Sequence, residues 1–143
     1  MVALPDWMAL APALSLALAS LVLLLADSID PDSTNTGLLA GISVLGSLLS
    51  FGFAGWFITS GTGMADNTGV ALFNSQLVVD QMALFFMAIV GSVTTLVVLA
   101  SYDYITEHSY QAEFFALVLL SATGMSLLSA ANSLATAFVA LEL

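Results

Sequence analysis

Four stretches of this chain stay apolar for about twenty residues each, and that length decides what it can fold into. They are residues 7–26, 37–58, 77–100 and 114–131. A helix rises about 1.5 Å per residue, so each run crosses, or nearly crosses, the roughly 30 Å hydrocarbon core of a bilayer. In lipid every backbone N–H and C=O needs a partner from the protein, and a helix satisfies its own. The expected fold is an all-α membrane protein, a polytopic transmembrane helix bundle. A fifth run, residues 134–143, is too short to span and is expected to be a helix cut in its middle. On this reading residues 1–143 are the N-terminal part of a single transmembrane domain.

Composition agrees and excludes several functions. Apolar residues make up 60% of the chain and the mean hydropathy is +1.08, above the range of soluble domains. There is no cysteine, so neither a disulfide framework nor a thiolate metal site is available. Lysine and arginine are absent and the formal charge is −10. Nothing here neutralises phosphates, which argues against nucleic-acid binding. The same absence removes the positive-inside signal for orientation. Most of the ten acids lie between the apolar runs. Dense carboxylates stay hydrated, and salt screens their repulsion, so the loops are expected to be adapted to high salt. A chance bias in a short stretch is the plainer alternative.

Taken in order, the first run has Pro12 in its opening turns, where a missing donor is tolerated. Trp7 suits the membrane interface. A signal peptide is the rival reading, but the positive n-region is missing and the apolar run is too long. Pro31 breaks the connection that follows. The second run opens with Gly37 and Gly41, a GxxxG pair, continued by Ser43, Gly46, Ser47 and Ser50. Such surfaces let helices approach closely, either as a dimerisation face or as packing within a bundle, the reading preferred here. Trp56 and Phe57 are expected to close this helix at the interface.

The next connection carries Gly61, Gly63, Asp66, Asn67 and Gly69, all turn formers, but no phosphate-loop lysine. Within it, residues 70–73 are an apolar patch that either lies on the membrane or pairs as a strand. Asp80 stands near the start of the third run, where an acid complements the exposed helix amides. It is a helix-start acid first and a secondary proton-carrying candidate second. Thr94 and Thr95 are expected to bond back to their own helix. Tyr102, Tyr104 and Tyr110 suit the headgroup level. His108, the one histidine, has no neighbouring ligands and reads as a solvated loop residue rather than a metal ligand. In the fourth run Ala122, Ser126 and Ala130 form a small-residue packing face. Asn132-Ser133 is a tight turn, with Ser133 capping the fifth helix.

Glu142 is the acid that this layout does not explain. On a helix it shares a face with Ala135, Phe138 and Val139. A carboxylate inside an apolar helix costs roughly 3 kcal/mol on insertion scales and is by default a candidate for handling ions or protons. To change its charge it needs a cation or water, and the chain holds no Lys or Arg. The alternative is that it faces an aqueous cavity.

The residues Glu113-Phe114-Phe115-Ala116-Leu117, Gly124-Met125, Ser129-Ala130-Ala131-Asn132-Ser133-Leu134, Phe138 and Leu141-Glu142-Leu143 resemble the pattern of subunit N of the proton-translocating NADH-quinone oxidoreductase, respiratory complex I. Leu77-Val78-Val79-Asp80 and Ser101-Tyr102-Asp103-Tyr104 also resemble it. The likeness is strongest over the last thirty residues and weakest before Leu77. Related antiporter-like subunits share the fold and the fifth-helix glutamate. The Glu-aromatic-aromatic-Ala-Leu start and the Gly-Met pair point to subunit N over them.

The resemblance implies a parent of about fourteen helices with inverted repeats, a pattern of transport folds. It implies that Glu142 is the fifth-helix glutamate of proton translocation, paired with a lysine on the seventh helix, beyond Leu143. The chain would hold no flavin, iron–sulfur cluster or quinone site. NADH or another donor, and quinone, would be used by the whole complex. Partners would be the other membrane subunits and the bilayer of a prokaryotic cell membrane. The N-terminus would lie outside, with Asp27–Thr36 and Ser101–Glu113 on the cytoplasmic side. Two readings stay beside this one: a subunit of a multisubunit cation/proton antiporter, and a non-catalytic four-helix scaffold.

Overall fold

The computed structural model describes residues 6–29, 36–60, 69–106 and 110–143, with side chains from Met8 onward. His108, Pro31, Gly61, Gly63, Asp66 and Asn67, and the side chain of Trp7, lie outside the described residues. A 3-10 turn, Asp6–Leu10, leads into α1 (Ala11–Ile29). Then come α2 (Thr36–Thr59), a hairpin of β1 (Val70–Leu72) and β2 (Leu77–Val79), α3 (Gln81–Ile105), α4 (Gln111–Ser129) and α5 (Leu134–Glu142). Segments 8–29, 36–59, 81–105 and 111–129 are long and apolar enough to cross a membrane. The protein is therefore a polytopic transmembrane helix bundle with a short fifth helix.

The four long helices form a ring in which α1 packs on α2 and α4, and α3 packs on the same two. Small residues set the spacing. A side chain added at Gly46 would come within 2.4 Å of Ala19 Cβ, and one at Gly91 within 3.0 Å of the Phe51 amide nitrogen. Ser43, Ser47 and Ser50 are fully buried beside Gly46, so this part of the small-residue surface serves the bundle. Gly41 has open space around it, and Gly37 lies against the Tyr102 hydroxyl, so the GxxxG pair makes no helix crossing among the described residues. The Ala122, Ser126 and Ala130 face is buried as expected.

Every buried polar side chain among the described residues is a serine or threonine. Most bond back to their own helix, as Ser43 does to the Leu39 carbonyl (2.8 Å) and Thr94 to that of Val90 (2.7 Å). This answers a hydroxyl in an apolar interior without a partner helix. Thr95 Oγ1 lies 2.9 Å from both Gly91 O and, across the helix pair, Ser47 Oγ, and its one proton serves either acceptor. Ser50 Oγ alone is buried with no partner among the described residues. Outward-facing Leu18, Leu45, Leu96 and Leu117 would be a liability in water and suit lipid or further protein.

The core has two parts. Leu16, Leu23, Phe115 and Leu119 fill the end near the α1–α2 and α3–α4 connections. Thr36 Oγ1 donates to Gln111 Oε1 across that end. Leu10, Phe57, Leu84 and Met87 fill the opposite end, beneath the hairpin. At the end of α2 Phe57 thus turns inward, while Trp56 faces outward.

The structure decides one open alternative of the sequence reading and moves the ends of α3 and α4. The apolar patch after Gly69 pairs as a strand, with Val70 opposite Val79 and Leu72 opposite Leu77. Its partner strand takes Leu77–Val79, so the third helix starts at Gln81 instead of residue 77. Asp80 is extended there and accepts from the Ala83 amide at 2.7 Å, which starts the helix. Lastly, α3 runs on to Ile105 and α4 begins at Gln111, shortening the loop read between residues 101 and 113.

Candidate functional site

α5 begins where α4 turns back. The Ala130 and Ala131 amides bond the Leu127 and Leu128 carbonyls, ending α4 in a tight turn. Ser133 is then extended, and its Oγ accepts from the Thr136 amide at 3.2 Å. The Thr136 hydroxyl in turn accepts from the Ser133 amide at 3.3 Å. This capping box satisfies donors that a helix start leaves open.

The same turn is held by the hairpin. Val78 N donates to Ala130 O (2.8 Å), Asn132 N to Gln76 O (3.0 Å), and Asn132 Nδ2 to Ser75 O (2.9 Å). Ser133 Oγ donates to Gln76 Oε1 at 2.6 Å, and Thr136 Oγ1 to Gln76 O at 3.0 Å. The sequence reading missed Gln76. Its partners lie 57 and 60 residues away, and a lone glutamine before an apolar run carries no local signal.

Glu142 closes α5, nine positions beyond the cap and roughly 13 Å along the axis from it. The helix rests on α4 through Ala140, its one buried residue. Gly124 makes room there: a side chain at that position would meet Ala140 O at 2.7 Å and Leu143 Cβ at 3.5 Å. Ala135, Phe138, Val139, Leu141 and Glu142 are all exposed. The carboxylate therefore stands on an open apolar face, away from the four-helix core.

Asp80 is not brought to Glu142. It caps α3 at the hairpin end, where Ser129 Oγ on α4 reaches Ala83 O at 3.5 Å. Glu142 lies deeper by most of the length of α5. Among the described residues no group of three or more His, Cys, Asp or Glu side chains could hold a metal ion. The chain has no Lys or Arg to stand beside Glu142.

No family model matches the chain. Curated relatives do. It is 29% identical over 147 residues to NADH-quinone oxidoreductase subunit N 2 of Koribacter versatilis, covering 96% of this chain and 28% of that protein. It is 33% identical over 136 residues to subunit N of Trichlorobacter lovleyi, covering 92% and 26%. Subunit N 2 of Streptomyces griseus is 34% identical over 145 residues, covering 96% and 25%. The chain spans about a quarter of the length of these relatives. Together with four membrane-spanning helices, this places the chain in the NADH-quinone oxidoreductase subunit N family.

Proposed function

We propose that this chain is part of a membrane subunit that couples electron transfer to quinone with proton translocation, and that Glu142 carries the proton. The observation that supports this most is the placement of Glu142. It is a carboxylate on the open face of an apolar helix, in a chain similar to subunit N proteins over nearly all its length. An acid so placed is tolerated when protein or water covers it, and intramembrane carboxylates mark proton paths. Approach of a cation favours the ionised form and releases the proton. That cation is a side chain from outside this chain, on the same longer polypeptide or a neighbour.

The redox chemistry belongs to partner subunits, which use quinone and NADH or another donor. This chain has no cysteine to ligate an iron–sulfur cluster. Its role is then to bind neighbouring membrane subunits, keep Glu142 in register and exclude lipid from it. The setting is a prokaryotic cell membrane, with acidic loops suited to high salt.

The test is to purify the complete subunit from its native membrane in mild detergent. Co-purification with flavin- and iron-bearing subunits, with donor-driven quinone reduction, is the expected result. A preparation lacking redox subunits, which in vesicles exchanges cations for protons, would replace this reading with an antiporter subunit. Inability to do either would leave a scaffold.

A further inference from the structure

Among the described residues α5 is held at its two ends. Near its end Ala140 rests against Gly124, and at its start the first turn is tied to the hairpin. Three of the five bonds of the second attachment named above meet at one residue. Gln76 O accepts from both Asn132 N and Thr136 Oγ1, and Gln76 Oε1 accepts from Ser133 Oγ. We infer that Gln76 is a positioning residue for Glu142: the hairpin turn fixes the start of α5 and so where its carboxylate stands. This rests on the proposed role of Glu142.

The turn itself supports the assignment. Phe73, Asn74 and Ser75 have φ of 51°, 57° and 64°, three successive non-glycine residues in the left-handed region. Such a conformation persists only where the surroundings over-determine it. Here Gln76 N bonds Phe73 O at 3.2 Å, and Asn132 Nδ2 holds Ser75 O. The hairpin is braced on its other side by Leu72 and Val79, both buried in the core beneath it. The device links a rigid part of the bundle to a helix that has little packing of its own. Loss of the amide acceptor leaves the Ser133 hydroxyl proton without its Gln76 partner and takes one of the ties off the first turn.

The test uses the assembled complex, with spin-labelled residues introduced at the exposed positions Met125 on α4 and Leu141 on α5. Gln76→Leu removes the acceptor, and Gln76→Glu keeps an oxygen in the same place. Gln76→Leu is expected to shift or broaden the 125–141 distance distribution. It should also lower the proton-pumping rate about tenfold, within the range that a displacement of about 1 Å produces, and move the pH profile of pumping. Gln76→Glu is expected to restore all of these. A Gln76→Leu complex with wild-type distance and pumping overturns the inference, as does a loss that Gln76→Glu does not repair. Should Gln76→Leu fail to assemble, Gln76→Met removes the same side-chain acceptor, leaves the Ser133 cap in place and is read the same way. A shifted distance together with normal pumping by Glu142→Gln would keep Gln76 as the anchor of α5 and remove Glu142 from the proton path.

Discussion

Gly124→Ala tests whether the α4–α5 contact sets the position of Glu142. The added methyl would lie 2.7 Å from Ala140 O, a main-chain atom that no rotamer change can move. Ordinary carbon–oxygen contact is about 3.4 Å, so a gap of roughly 0.7 Å must open. α4 is packed into the ring against α1 and α3, whereas α5 buries one residue, so α5 is the element that yields. Overpacking of this kind costs about 1–3 kcal/mol. Glu142 lies two residues beyond the displaced carbonyl and moves with it. A misplacement near 1 Å costs up to about 100-fold in a geometry-dependent step, and a pumping loss of about tenfold is expected. The assay is proton uptake by inverted vesicles, per electron passed to quinone. Gly52→Ala is the control, since nothing lies within 4 Å of its added methyl. It exchanges a helix glycine for a better helix former and is expected to be neutral or slightly stabilising. If Gly124→Ala behaves like Gly52→Ala, α5 is not positioned by this contact.

Two other substitutions separate structure from proton chemistry. Asp80→Ala removes the cap on Ala83 N and is expected to cost about 1 kcal/mol in thermal unfolding of the purified subunit, while Asp80→Asn keeps both cap and pumping. Lost pumping in a well-folded Asp80→Asn protein would make Asp80 a proton carrier. Ser50→Ala is expected to be neutral or stabilising by up to about 1 kcal/mol, because the buried hydroxyl has no partner among the described residues. A clear destabilisation in the same melting assay would reveal a bound water or outside partner at Ser50 Oγ.

The spanning helices could be read from sequence because lipid leaves few choices for twenty uncharged residues. The hairpin could be read only in part. Val70–Leu72 stood out as an apolar patch among turn formers, but Leu77–Val79 runs without a polar break toward α3. Apolar content alone does not separate a short strand from the first turn of a buried helix. The physical boundary is Asp80, extended in backbone and bonded forward to Ala83 N. Glu142 was conspicuous as the lone acid of its run. That it faces outward was not, because the residue that seats α5 is Ala140, one of several alanines there. Gln76 could not be found at all, since its meaning lies in partners brought together only by the turn after α4. Phe57 and Trp56 are adjacent aromatics, and only the helix phase sends one inward.

The most direct measurement is the number of protons moved per electron pair by the complete complex carrying Glu142→Gln, in sealed vesicles, with quinone reduction followed in the same sample. Glutamine keeps the shape of the side chain but cannot gain or lose the proton. The expected result is an assembled complex that still reduces quinone when the gradient is collapsed by an uncoupler, yet pumps fewer protons per electron pair than wild type. An unchanged proton count would contradict a role for Glu142 in translocation and leave α5 as structure alone.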